Sequence, residues 1–351
     1  MIPAEPQEKH ALGESGRSHA GHLTTPRPAA YTALLLVVVI ASAVYGVWWH
    51  AIFACPASGY QSDNYLAYCQ ATGYGDYDHG AFWFNLEPDV AEAAANAEVL
   101  FVGNSRMQLG FSTSATDKWF AANAARYFLL GFSHNVNVIF EAPLLRKLSP
   151  RARVYVINLN WFFRQTASQL VRTVLADSAA RARYERKRDW QPIHRSICQW
   201  AQFLCRNEYV IYRSRTTGAW HVSGGEIHGM PVSYDGDSEN QATLDAYAAA
   251  AREFSASLSV DPKCIILTYV PFVRTDTATA IAVAAALGME LVAPWLDGLN
   301  TFDESHLDAP SAERWSTAFY EAAGPRIQAC LAAGRSASLV GRRGSDDAAS
   351  R

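Results

Sequence analysis

The sequence predicts an α/β fold: a three-layer domain with a parallel sheet and helices on both faces, preceded by one transmembrane helix. Three observations predict it. Short, wholly apolar runs that stop at Gly, Asn or Ser alternate with segments of helical period. Within those runs apolar and polar residues do not alternate, which is the pattern of strands buried on both faces. Residues 31–49 carry no charged side chain.

The elements follow in order. Residues 1–30 are rich in Pro, Gly, Ser and His and are expected to form a disordered cytoplasmic tail. Residues 31–50 form the expected transmembrane helix; the nineteen residues 31–49 would span roughly 28 Å as a helix, close to the hydrocarbon thickness of a bilayer. Tyr45, Trp48 and Trp49 stand at one end, where an aromatic belt belongs. Lys9, Arg17 and Arg27 precede the segment, and no Lys or Arg follows it until Arg106, so the N-terminus is expected to be cytoplasmic and the rest exported. A cleaved signal peptide is the competing reading. It fits poorly with the long polar leader and the lack of a small-x-small site, and Ile52-Phe-Ala-Cys55 is a poor lipoprotein box.

Residues 51–96 read as a connector with a short helix at 90–97. Strands are expected at 99–103, 126–130, 153–159 and 264–270, with a weaker fifth at 290–294. Helices are expected at 134–148 (capped by Ser133), 244–258, 278–287 and 311–323. Residues 165–243 interrupt this order and read as a helical insertion over the site. Residues 334–351 read as a disordered tail, leaving 97–333 as the domain.

With 351 residues, 50% hydrophobic and 18% charged, the chain can bury a sizeable core. A net charge of -3 and pI near 6.4 give no basic footprint for nucleic acid. The basic run 181–188 reads as a solvated helix face. Six cysteines in an exported chain suggest disulfides. Cys55/Cys69 and Cys198/Cys205 are plausible local pairs, with Cys264 and Cys330 left over, although six cysteines allow fifteen connectivities. No cysteine or histidine grouping has zinc-ligand spacing, and no cofactor is expected.

Two short segments carry chemistry. Gly103-Asn104-Ser105 follows the first strand and can expose a hydroxyl. Asp303 stands three residues before His306 in a polar loop before the last helix. Nucleophile, base and orienting acid are the parts of serine acyl transfer. Ligands of parallel sheets bind beyond the carboxyl ends of the strands, and Ser105, Gly131 and Asn160 are each expected just past one. An α/β-hydrolase reading expects G-x-S-x-G and finds Gly103-Asn-Ser-Arg-Met107 instead.

On residues 99–105, 130–135, 154–160 and 302–307 the chain resembles the SGNH (GDSL-like) hydrolases. The closer likeness is to their membrane-anchored exported branch, which includes polysaccharide O-acetyltransferases and the D-alanine transfer protein of teichoic acids. The resemblance covers roughly residues 97–330 and implies a flavodoxin-like sheet. It implies Ser105 as nucleophile, His306 as base and Asp303 as acid. The oxyanion hole would be the Ser105 amide, the Gly131 amide and the Asn160 side chain. Asn158 is the alternative to Asn160, since the Gly-x-Asn-Asp pattern is not met here. Asn104 replaces the usual aspartate. Arg106, His134 and Arg164 could bind an anionic glycan or pair structurally, and Trp161 could stack on a sugar or pack. The implied function is a membrane-tethered, extracytoplasmic serine esterase or O-acyltransferase in the inner (cytoplasmic) membrane, acting on a cell-surface polysaccharide. The resemblance also implies a multispanning acyltransferase partner. The alternative is a catalytically inactive SGNH-fold glycan-binding or scaffold protein.

Overall fold

The computed structural model describes residues 28–49, 55–56, 58–71, 73–133, 136–205, 208–224 and 229–349. The polar leader before residue 28 and the side chain of His134 lie outside them. The chain divides into two compact units, Met1–Trp49 and His50–Arg351. The first holds α1 (Pro28–Trp49), whose Pro28–Val47 stretch has a mean hydropathy of 2.2 and is long and apolar enough to cross a membrane or to act as a signal sequence.

The second unit begins with β1 (Asn64–Cys69), β2 (Gly75–Asp76), α2 (Asp78–Trp83) and α3 (Pro88–Ala95). Then come β3 (Val99–Asn104), α4 (Ser105–Phe111), α5 (Ser114–Ala122), β4 (Tyr127–Phe132), α6 (Val138–Leu148) and β5 (Val154–Asn158). Next are α7 (Gln169–Ala176), α8 (Ala180–Trp200), β6 (Val210–Ser214), β7 (Trp220–Ser223), β8 (Met230–Pro231) and α9 (Gln241–Ser257). The chain closes with β9 (Ile265–Thr268), α10 (Thr277–Leu287), β10 (Asn300–Thr301) and α11 (Ala309–Ala349).

The central sheet is parallel, in the order β4-β3-β5-β9. All residues of β3, β4, β5 and β9 are buried, as their unbroken apolar runs require. Successive side chains feed opposite cores. Val99 and Phe101 pack with Phe111, Phe120, Trp315 and Phe319 from α4, α5 and α11. Leu100 and Val102 pack with Phe140, Leu144, Ala251 and Phe254 from α6 and α9.

Several expectations are corrected. The fifth strand reduces to one bridge between Leu267 and Leu291, because Pro294 cuts its apolar run to three residues. The helix expected from 134 starts at Val138, where the Asn137 side chain accepts from the Ile139 amide; the cap is Asn137 and not Ser133. The insertion at 165–243 is not purely helical, and the connector contributes strands to it. β1 and β2 join β6 and β7 in a second, antiparallel sheet of order β2-β1-β6-β7. The pairing of β1 with β6 joins residues that lie far apart in the chain, which leaves no local sequence signal. The tail expected from 334 continues α11.

The cysteines pair as Cys55–Cys69, Cys198–Cys205 and Cys264–Cys330. Cys198 and Cys205 also lie near His194, but the disulfide occupies both sulfurs.

Candidate active site

β3 runs straight into α4. Asn104 caps the helix, its Oδ1 accepting from the Arg106 amide at 3.0 Å, so Ser105 is the first helical residue. Gly103 serves close packing rather than an unusual turn. A Cβ there would come within 2.9 Å of the Asn158 Cβ and 3.0 Å of the Met107 Cβ.

The loop between β10 and α11 carries the other two residues. Asp303 Oδ1 accepts from the amides of Ser305 (3.1 Å) and His306 (2.9 Å), folding the loop onto its own acid. Its Oδ2 lies 2.7 Å from His306 Nδ1, and His306 Nε2 lies 2.8 Å from Ser105 Oγ. The structure therefore joins Ser105, His306 and Asp303, 201 residues apart at the widest, in one hydrogen-bonded line. Burial acts to raise the Asp303 pKa, but the hydrogen bond and charge of His306 and the two backbone amides outweigh it and hold the carboxyl below its usual range. With Asp303 ionised, Nδ1 carries the imidazole proton and Nε2 is left to accept the serine proton. The Phe302 ring stacks on His306, with centroids 5.7 Å apart.

The expected oxyanion donors divide. Gly131 is not past a strand end but inside β4, opposite Gly103. Its amide donates to Gln108 Oε1 at 3.1 Å, and Gln108 Nε2 in turn donates to the Gly218 carbonyl. That amide therefore already has a side-chain partner. Asn160 does lie beyond β5. The Asn104 side chain donates to its carbonyl at 2.6 Å, and its Oδ1 accepts from the Val270 amide at 3.0 Å. Its buried Nδ2 meets no acceptor in hydrogen-bonding geometry; the Tyr269 hydroxyl is its polar neighbour. Asn158, the last residue of β5, also offers its Oδ1 to the Val270 amide.

Three of the residues expected to meet a substrate, Arg106, Trp161 and Arg164, cluster together. Arg106 is 4% exposed, with its guanidinium carbon 3.9 Å from the ring centroids of both Trp161 and Phe272. Its Nε donates to the Ser305 carbonyl at 3.0 Å, tying the nucleophile's helix to the base's loop, while Nη1 is buried without a partner among the described residues. Burial lowers its pKa to about 10, which leaves it charged at neutral pH. Arg164 also lies over Trp161, at 4.5 Å, and is engaged by Tyr247 and Glu239. Two guanidinium groups thus occupy the Trp161 ring, whose backbone sits at φ 53°, an uncommon conformation for a bulky residue.

Sequence reasoning missed Gln108, Tyr269 and Phe302. Phe302 adjoins the D-x-x-H motif and Gln108 is one helical turn past Ser105, so proximity was the only available signal. Comparison of the chain with protein-family models, with curated proteins and with solved structures finds no match in any of the three.

Proposed function

We propose that the protein is an exported, membrane-tethered serine esterase or O-acyltransferase of the SGNH type, acting on a cell-surface glycan. One observation carries this reading: Ser105, His306 and Asp303 form a continuous hydrogen-bonded line at the carboxyl edge of a parallel sheet. In the first half-reaction Ser105 Oγ attacks the acyl carbonyl and His306 Nε2 takes its proton. The acyl–oxygen bond breaks, and His306 returns the proton to the leaving alcohol. Water or a sugar hydroxyl then attacks the acyl-enzyme, giving its proton to His306, and Ser105 recovers it. Asp303 stabilises the imidazolium formed in each half. Asn160 Nδ2, whose polar neighbour at rest is the Tyr269 hydroxyl, supplies an oxyanion donor.

The apolar α1 and three disulfides support an anchored domain in an oxidising compartment, with the N-terminus cytoplasmic. A flavodoxin-like SGNH sheet is the fold this reading assigns to the four parallel strands. Delivery of an acyl donor across the membrane would fall to a multispanning partner. The second reading, an inactive glycan-binding or scaffold protein, draws on one observation, the occupied Gly131 amide.

The test is steady-state hydrolysis of a small aryl acetate by the full chain in detergent. Ser105→Ala and His306→Ala are expected to lower kcat by at least on the order of 10⁴-fold, with Asp303→Asn close behind. Equal turnover by wild type and Ser105→Ala would remove the acyl-transfer reading.

A further inference from the structure

A cleft opens beside Asp303 of the triad, and its chemistry does not suit a polyanion. It encloses about 1080 Å³, at the upper end of what ligand sites occupy. Of the triad, Asp303 lines it while Ser105 and His306 do not, and Leu109 and Ser112 line it at the far end of α4. Tyr209, Trp220 and Phe302 supply aromatic walls. Three carboxylates, Asp303, Asp308 and Glu313, face it, and among the described lining residues there is no Lys or Arg; His221 is the one imidazole.

Those carboxylates are fixed in place. Asp303 holds His306. Asp308 caps α11, accepting from the Ser311 amide at 2.8 Å. Glu313 accepts from the Ala115 amide at 3.1 Å and also from the Ser114 hydroxyl. A carboxylate- or phosphate-bearing chain would meet like charge here, and such juxtapositions cost several kcal/mol. The cations that could have welcomed it, Arg106 and Arg164, are instead stacked on Trp161. The nearby Arg213 is buried and paired with Asp78 at 2.7 Å.

One residue of the cleft wall also carries an unmet donor, which is closed to solvent at rest. Trp220 is 6% exposed, lines the cleft, and its Nε1 is buried with no hydrogen-bond partner. A buried indole N–H ordinarily finds an acceptor. Hydroxyl and amide oxygens of an uncharged sugar are acceptors of the right kind, and Ser112, Thr113 and Ser223 add hydroxyls along the same walls.

We propose that this cleft holds the glycan substrate, and that this glycan is a neutral or amino-bearing sugar polymer free of carboxylate and phosphate. The proposal rests on the acyl-transfer reading for its role and on the cleft alone for its chemistry.

The experiment is titration calorimetry on the full-length Ser105→Ala chain in detergent. The probes are hexamers of N-acetylglucosamine, glucosamine and galacturonate. One of the first two is expected to bind at least tenfold more tightly than the galacturonate hexamer. Trp220→Phe, which keeps the ring and deletes Nε1, is expected to weaken that binding about 2- to 10-fold, the worth of one neutral hydrogen bond. Tyr209→Ala is expected to weaken it as well. The proposal is overturned if the galacturonate hexamer binds as tightly as the others, if no hexamer binds, or if neither variant changes the affinity. Aryl acetate turnover by the wild-type chain reports on the triad separately, so a live triad with an empty cleft and a dead triad with a filled one are told apart.

Discussion

Asp303 uses one carboxyl group twice. Oδ1 shapes the loop by accepting two backbone amides, and Oδ2 holds the imidazole. Because its folded pKa is depressed, it adds stability above the ordinary carboxylate value of about 3.9, and that stability is lost as pH falls through its own lower value. Asp303→Asn should therefore be less stable than wild type at pH 7, and the gap should close as the medium is acidified below about pH 4. Urea unfolding from pH 7 down to pH 2 measures this; a gap that stays constant would mean the carboxylate's charge is not what matters. Gly131 shows the limit of reading single residues. The sequence places a glycine near a strand end, but its amide is engaged by Gln108, a side chain that no local pattern links to it. Ser105, Asp303 and His306 were legible because acid and base lie three residues apart and the serine follows a buried strand. Arg106 was legible as a neighbour of the site, but not as a buried tie to the Ser305 carbonyl.

At the scale of elements, what could be read was what local pattern determines. β3, β4, β5 and β9 appear within a few residues of their expected bounds, since an apolar run between turn residues is a local signal. α10 does too, capped by Asp276 and closed by Gly288 at φ 63°. β1 and β6 were not legible, because each becomes a strand only by pairing with the other across the chain. The third disulfide is also non-local. Cys264 and Cys330, 66 residues apart, tie the start of β9 to α11, the helix directly after the His306 loop. Replacing both with Ser should cost about 2–5 kcal/mol in urea unfolding of the full chain, by relaxing a long loop in the unfolded state. A loss well under 1 kcal/mol would show that packing of Trp315, Phe319 and Ile327 already fixes the helix.

For the whole molecule, the parallel sheet explains why residues from three distant segments meet. Ser105 and Asn160 stand past the ends of adjacent parallel strands, and the loop ahead of α11 brings His306 over the same edge. The second sheet, unseen in the sequence, supplies Trp220 to the wall of the cleft beside Asp303. On the proposed reading, chemistry belongs to the first sheet and selection of the glycan to the junction of the two. That reading requires Ser105 to be an activated nucleophile. Reaction of the full-length protein with a fluorophosphonate, followed by peptide mass mapping, tests that claim most directly. The account predicts a single adduct on Ser105, absent in Ser105→Ala and strongly reduced in His306→Ala. A folded wild-type protein that stays unmodified, or an adduct that persists in Ser105→Ala, would contradict it.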